Sequence, residues 1–192
     1  MSNIIQTTTE FAMFIVSGYI SPGDVLVDAT CGNGHDTLKL LKHEPSALYA
    51  FDIQQQAIDS TEKLLISNGF AGRLADGTVK LIRDSHENMD SYIAAPVKAV
   101  VFNLGYLPGR TKSVVTESAS TASAVCKALN LLQKDGIVCI TMYSGHSGGS
   151  EEKAALLSMA GELDSGIYHT AYISITNQKN HPPEILLITR KR

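Results

Sequence analysis

The run Asp28-Ala29-Thr30-Cys31-Gly32-Asn33-Gly34-His35-Asp36-Thr37 places two closely spaced glycines among carboxylates and hydroxyls, directly after the apolar Val25-Leu26-Val27. Gly32 and Gly34 allow a tight turn and close approach of backbone to a ligand. A helix beginning at once would aim its free N–H groups at that ligand. Asp28 is placed to orient an ammonium group, directly or through water. Asp36 and Thr37 can serve the ligand or cap the helix. Asp52 follows Asp28 by 24 residues and closes a second apolar run, the position from which a carboxylate accepts hydrogen bonds from ribose hydroxyls. Ile53 and Gln54 would border an adenine. Two further polar segments follow apolar runs: Asp84-Ser85-His86, whose histidine can stack on or donate to a base, and Asn103-Leu104-Gly105-Tyr106-Leu107-Pro108. An amide oxygen at Asn103 can hold an amine in line for a group transfer, and Tyr106 can wall a substrate and stack on a base.

Such residues must be positioned by a scaffold, and the hydrophobic pattern supplies one. An amphipathic helix is expected over Ile4 to Tyr19, with a turn at Ser21-Pro22-Gly23-Asp24. Strands are expected at Val25–Val27, Ala47–Phe51, Val79–Ile82, Ala99–Phe102 and Ile137–Met142, the last entered through an Asp135-Gly136 turn. Helices are expected over His35–Lys42, Gln54–Ser67, Thr116–Leu132 and Glu151–Leu163, with a loop from Asn68 to Gly77. Two final strands, His169–Thr176 and Glu184–Thr189, are too close for a parallel crossover and must pair antiparallel. The expectation is an α/β chain: a Rossmann-like, seven-stranded, mostly parallel sheet with helices on both faces and a C-terminal antiparallel hairpin, forming one domain over residues 1–192. In such sheets ligands bind outside the carboxyl ends of the strands, which is where all four polar segments fall.

Composition narrows the classes. With 192 residues, 44% apolar and 18% charged, the chain can bury a core without disulfides or metals. It has no run long enough to span a bilayer and no signal-peptide pattern, and its three isolated cysteines, Cys31, Cys126 and Cys139, suit a reducing cytoplasm rather than a zinc site. No metal is expected. A net charge of −3 does not advertise nucleic-acid binding. Local basic candidates are Arg73, Lys80, Arg83, Arg110, Lys112 and the Arg190-Lys191-Arg192 tail, which also read as scattered surface charge.

Together, the Asp28–Thr37 and Asn103–Pro108 segments, Tyr143-x-Gly145-His146-x-Gly148 and Asn180-x-Pro182-Pro183 resemble the bacterial "putative rRNA methylase" family of class I S-adenosylmethionine (SAM)-dependent methyltransferases. Its members are understood as tRNA (5-aminomethyl-2-thiouridine) methyltransferases acting at the wobble uridine. The similarity runs from about Gly23 onward. Arg110-Thr111-Lys112 stands where the family has an acidic residue, and His181 where it often has an amide. The resemblance implies SAM as cofactor, held by Asn33, Asp36, Thr37, Asp52, Gln54, Ser85 and His86 beside Asp28, Gly32 and Gly34. It implies N-methylation of a tRNA anticodon stem-loop. Asn103 would aim the amine, Tyr106 would pack on the uracil, and His146 would take the proton or hold the backbone. Tyr143 and the Asn177–Pro183 loop, including Asn180, would complete the pocket, with Arg110 and Lys112 near phosphates. A homodimer would fit this reading, and no membrane partner is expected.

Other readings stay open from the residues alone. Gly32-x-Gly34 with Asp52 also suits an NAD(P)-linked oxidoreductase, although Thr37 stands where the third fingerprint glycine belongs. A methyltransferase could act on rRNA, protein or a small molecule instead. A non-catalytic sensor would not need polar groups at Asn103–Pro108.

Overall fold

A computed structural model describes residues 6–104, 115–145, 148–178 and 182–192. The elements are α1 (Thr8–Ser17), β1 (Val25–Asp28), α2 (His35–Leu41), β2 (Ala47–Phe51), α3 (Gln55–Ser67), α4 (Ala71–Ala75), β3 (Val79–Ile82), β4 (Val97–Leu104), α5 (Val115–Leu131), β5 (Leu132–Met142), α6 (Gly149–Glu162), β6 (Tyr168–Ile173) and β7 (Glu184–Arg190). The strands form one seven-stranded sheet in the order β3-β2-β1-β4-β5-β7-β6. β1 to β5 run parallel, and β7 enters antiparallel between β5 and β6. The expected architecture is the observed one.

Alternation along the strands explains the layers, because successive side chains point to opposite faces. Leu26, Leu48, Val79, Ala99, Val101, Ile137 and Leu187 meet Ala12, Met13 and Val16 of α1, Leu40 and Leu41 of α2 and Leu65 of α3. Val27, Tyr49, Val100, Phe102, Val138, Ile140 and Ile188 face the other way, against Ala124, Val125, Ala128 and Leu129 of α5 and Leu156 and Ala160 of α6. Phe51, Phe102 and Leu26 are almost wholly excluded from water, each such burial contributing about 1.5–3 kcal/mol.

Several local expectations change. α1 starts at Thr8, because the Thr7 hydroxyl caps it by accepting from the Glu10 N–H at 3.1 Å. Residues 71–75 of the expected loop coil into the short α4. A 3-10 segment, His86–Ser91, stands between β3 and β4 where a full helix would complete the strand–helix repeat. β4 extends to both sides of its apolar run, because Asn103 still pairs with Thr141 through the backbone. The expected Asp135-Gly136 turn is a bulge within β5. Two steps along β4 correspond there to five along β5, with Asp135 at a φ of 58°.

Candidate functional site

The carboxyl ends of β1, β2 and β4 bring Asp28, Asp52 and Asn103 to one edge of the sheet. Between them lies the glycine loop. Gly34 has a φ of 83°, and a Cβ there would meet Thr61 of α3 at 2.9 Å, so only glycine lets the loop lie against that helix. The Thr61 hydroxyl donates to the Gly32 carbonyl at 3.2 Å. Gly32 in turn donates its N–H to Asp52 Oδ2 at 3.1 Å, while Asp52 Oδ1 accepts from the Gln54 N–H at 2.9 Å. Asp52 thus fixes the loop and the start of α3. Asn33 is exposed at the loop's apex.

Thr37 and Asp36 do not cap α2, whose N-cap is Gly34 without a side-chain bond. Thr37 instead reaches back to β1 and donates to Asp28 Oδ2 at 2.6 Å, inside the core. Asp28 Oδ1 accepts from the Thr30 N–H at 3.1 Å. Burial pushes the Asp28 carboxyl up to about 7, and the nearby Asp36 charge adds to the rise, while the Thr37 bond opposes it. Such a group titrates near neutrality and becomes anionic most readily when a cation is placed beside it.

Asn103 ties the second half of the site to the first. Its N–H donates to the Thr30 hydroxyl at 2.7 Å, and its Nδ2 donates to Asp36 Oδ2 at 3.1 Å. A carboxylate only accepts, so the amide's NH2 must face Asp36 and its oxygen must face away. That oxygen, Oδ1, is buried and has no hydrogen-bond partner among the described residues. Leaving a buried acceptor unmade costs about 1–3 kcal/mol, so it marks a place where a donor from a ligand belongs. Asp36 also accepts from Lys39 at 2.9 Å.

On the neighbouring loop, Ser85 caps the 3-10 segment by accepting from the Glu87 N–H at 3.2 Å. His86 Nδ1 lies 3.2 Å from the Ala29 carbonyl, with its ring edge-on to Phe102 at 5.6 Å. The ring therefore braces the β1 loop from below. Asp84 accepts from Tyr92 at 2.8 Å and from Asn88 at 3.0 Å. Tyr143 follows β5, and its hydroxyl lies 3.3 Å from that of Thr9. Tyr106, Arg110, Lys112, His146 and Asn180 lie outside the described residues. Burial drives the Cys31 and Cys139 thiols up to about 12, so neither supplies a thiolate nucleophile at neutral pH. Among the described residues, no cluster of metal-ligating side chains is found, and no helix is long and apolar enough to cross a membrane.

Thr30 accepts from the Asn103 N–H and Thr61 donates to the glycine loop, and sequence reasoning singled out neither as a site residue. Thr30 is inside the recognised loop motif, whereas Thr61 shows only as an inward position of α3.

The donor set fits SAM. Asp28, Asp36 and Asp52 surround the glycine loop with negative charge, which suits a ligand carrying an ammonium and a sulfonium and opposes the pyrophosphate of a dinucleotide. The comparisons agree. Residues 48–189 match the family described as "Putative rRNA methylase". A chloroplastic tRNA (mnm(5)s(2)U34)-methyltransferase of Arabidopsis thaliana is 35% identical over 195 residues, covering 97% of this chain and 70% of that protein. A crystal structure described as that of a "putative rRNA-methylase" from Clostridium thermocellum superposes with a TM-score of 0.87 at 36% identity, covering 97% of this chain and 98% of that one. SMU.1697c, described as "a putative methyltransferase" from Streptococcus mutans and solved in complex with SAH, gives 0.83 at 34% identity, with 97% and 99% covered. A glycine loop ringed by carboxylates, on a sheet shared almost end to end with these proteins, places the chain in the rRNA methylase family of SAM-dependent methyltransferases.

Proposed function

We propose that this enzyme methylates the side-chain nitrogen of 5-aminomethyl-(2-thio)uridine at the wobble position of tRNA, giving the methylaminomethyl form. The observation that carries the reading is the buried, unpartnered Oδ1 of Asn103, held outward by the Nδ2–Asp36 bond. An N–H of a neutral amine satisfies that oxygen and leaves the nitrogen lone pair free to be aimed. The kinship with a protein named for this tRNA reaction supports the substrate class.

Bound SAM supplies an electrophilic methyl group. The chain's own residues then do three things. Asp28, Asp36, Asp52 and Gln54, with Gly32, Asn33 and Gly34, hold the cofactor's cationic and ribose parts; Ser85 and His86 border its base. Thr37 keeps Asp28 oriented through its 2.6 Å bond. Asn103 positions the amine at near-attack distance, roughly 3–3.5 Å. Tyr106 packs on the uracil, His146 receives the proton, and Tyr143, Asn180, Arg110 and Lys112 contact the anticodon stem-loop. One domain over residues 1–192 carries both halves, working in the compartment where tRNA is modified, which for a bacterial-type enzyme is the cytoplasm.

The test is direct. Purified protein is incubated with methyl-labelled cofactor and tRNA lacking the terminal wobble methylation, and the digested nucleosides are resolved. Label in methylaminomethyl-2-thiouridine is the expected result. Label only in rRNA, or in a small amine, would replace the substrate.

A further inference from the structure

A cleft of about 630 Å3 opens beside the cofactor edge, between the start of α1, the end of β5 and the loop joining β6 to β7. Its volume lies in the range of small-molecule pockets, roughly 300–1,000 Å3. Hydrogen-bonding groups of Gln6, Thr7, Thr9, Tyr143, Asn177 and Gln178 line it, with Ile175 and Pro183 as apolar flanks. No charged side chain is among the lining residues that the structure describes. The wall is pinned from two directions. Thr9 and Tyr143 meet hydroxyl to hydroxyl at 3.3 Å across 134 residues of sequence. Pro183 precedes Glu184, which is buried and paired with Lys153 of α6 and Tyr172 of β6.

This chemistry discriminates among ligands. Hydroxyls and amides both donate and accept, as the edges of nucleobases do; they can also donate to phosphate oxygens, but without the charge that Arg and Lys bring to that contact. Single-stranded RNA is recognised through unstacked bases set against aromatic or apolar surfaces and hydrogen-bonded on their edges. The location also matters. Thr141 pairs with Asn103 in the sheet, and Tyr143 lies two residues further on, just past the end of β5. The cleft therefore begins one strand spacing to the side of Asn103 and two residues beyond it, roughly 8 Å away in all, within reach of the nucleotide next to the reacting one.

We propose that this cleft is a second base subsite, taking an unstacked nucleobase adjacent to the modified uridine, and that the first turn of α1 is one of its walls. The inference rests on the RNA substrate proposed above. It gives the N-terminal threonines a role beyond capping a helix.

The experiment uses the full chain and an anticodon stem-loop carrying aminomethyl-2-thiouridine, with KM, kcat and SAH affinity measured separately. Thr9→Val and Gln178→Ala are expected to raise KM for the RNA about five- to tenfold, the scale of one lost polar contact. SAH affinity stays at the wild-type value, and Thr9→Ser restores KM. Replacing a nucleotide flanking the uridine by an abasic site weakens the wild type and weakens Thr9→Val no further. Unchanged KM in both variants, or abasic and Thr9→Val penalties that multiply independently, overturns the subsite and leaves the tRNA reading standing. A wild-type protein that binds SAH but methylates no RNA overturns both.

Discussion

The Thr37 hydroxyl donates a 2.6 Å hydrogen bond to Asp28 Oδ2 with both side chains buried, joining the first turn of α2 to the end of β1 beneath the glycine loop. The bond opposes the upward push of burial on the Asp28 carboxyl. Thr37→Val keeps the shape and removes the donor. The expected outcome is a loss of about 1–3 kcal/mol of stability and SAH binding weakened about tenfold. Urea unfolding and calorimetry read the two effects, and wild-type values in both would remove Thr37 from the site.

Asp28 also predicts a pH dependence. Its folded-state pKa of about 7 lies above the ordinary 3.8, so the folded chain holds a proton that the unfolded chain has released between those values. Stability attributable to this group therefore falls as pH rises from about 4 to about 7 and is level above. The ligand's ammonium group, set beside Asp28, favours the carboxylate, so SAH affinity should strengthen as pH rises toward about 7. Asp28→Asn should bind weakly and lose this pH dependence. Calorimetry across the interval checks it, and an identical pH profile in Asp28→Asn would assign the titration elsewhere.

Asn103→Ala should lower kcat about a hundredfold, the scale of one oriented polar group acting on the reacting centre. SAH affinity should change little, since the other cofactor groups remain. Single-turnover methyl transfer is the measurement; a wild-type rate would refute the positioning of the amine by Asn103.

Gly34→Ala forces a residue with a Cβ into a φ of 83° and against Thr61 at 2.9 Å. A destabilisation of about 1–3 kcal/mol is expected, with the loop displaced and SAH binding reduced in parallel. Denaturant midpoints with and without SAH separate the fold effect from the binding effect, and an unchanged midpoint would show that the loop can move freely away from α3.

Acid should loosen the far side of the sheet edge. Burial pushes the Glu184 carboxyl up, but the bonds from Lys153 and Tyr172 outweigh it and the net direction is downward. The stabilisation is therefore present above the ordinary carboxylate pKa and lost as pH falls through the depressed one. Glu184→Gln should be less stable than wild type at neutral pH, with the difference narrowing toward acid. Equal stabilities at neutral pH would mean that Lys153 contributes nothing there.

The strands and the glycine loop at their carboxyl edge were legible because they are written in local pattern: mainly apolar runs of three to six residues, a glycine loop, then Asp52; the order of the strands across the sheet was not. Asn103 was legible by its place after an apolar run, and its orphaned oxygen only by its geometry. What the pattern could not carry was contact across the chain. Thr37 looks like a helix cap because capping residues have its chemistry, yet it turns inward to a carboxylate nine positions earlier. The Thr9–Tyr143 contact has no sequence periodicity to announce it. The β5 bulge reads as a turn, since Asp-Gly favours left-handed backbone in either setting.

The insertion of β7 between β5 and β6 has a consequence for biosynthesis. Among the described residues β6 has only β7 for a partner in the sheet, and the side of β5 away from β4 is also covered by β7. Until residues 184–190 leave the ribosome, the nascent chain therefore carries an open strand edge on β5 and an unpaired β6, both templates for pairing with other chains. The chain is most exposed to mispairing after β6 has emerged and before residues 184–190 have.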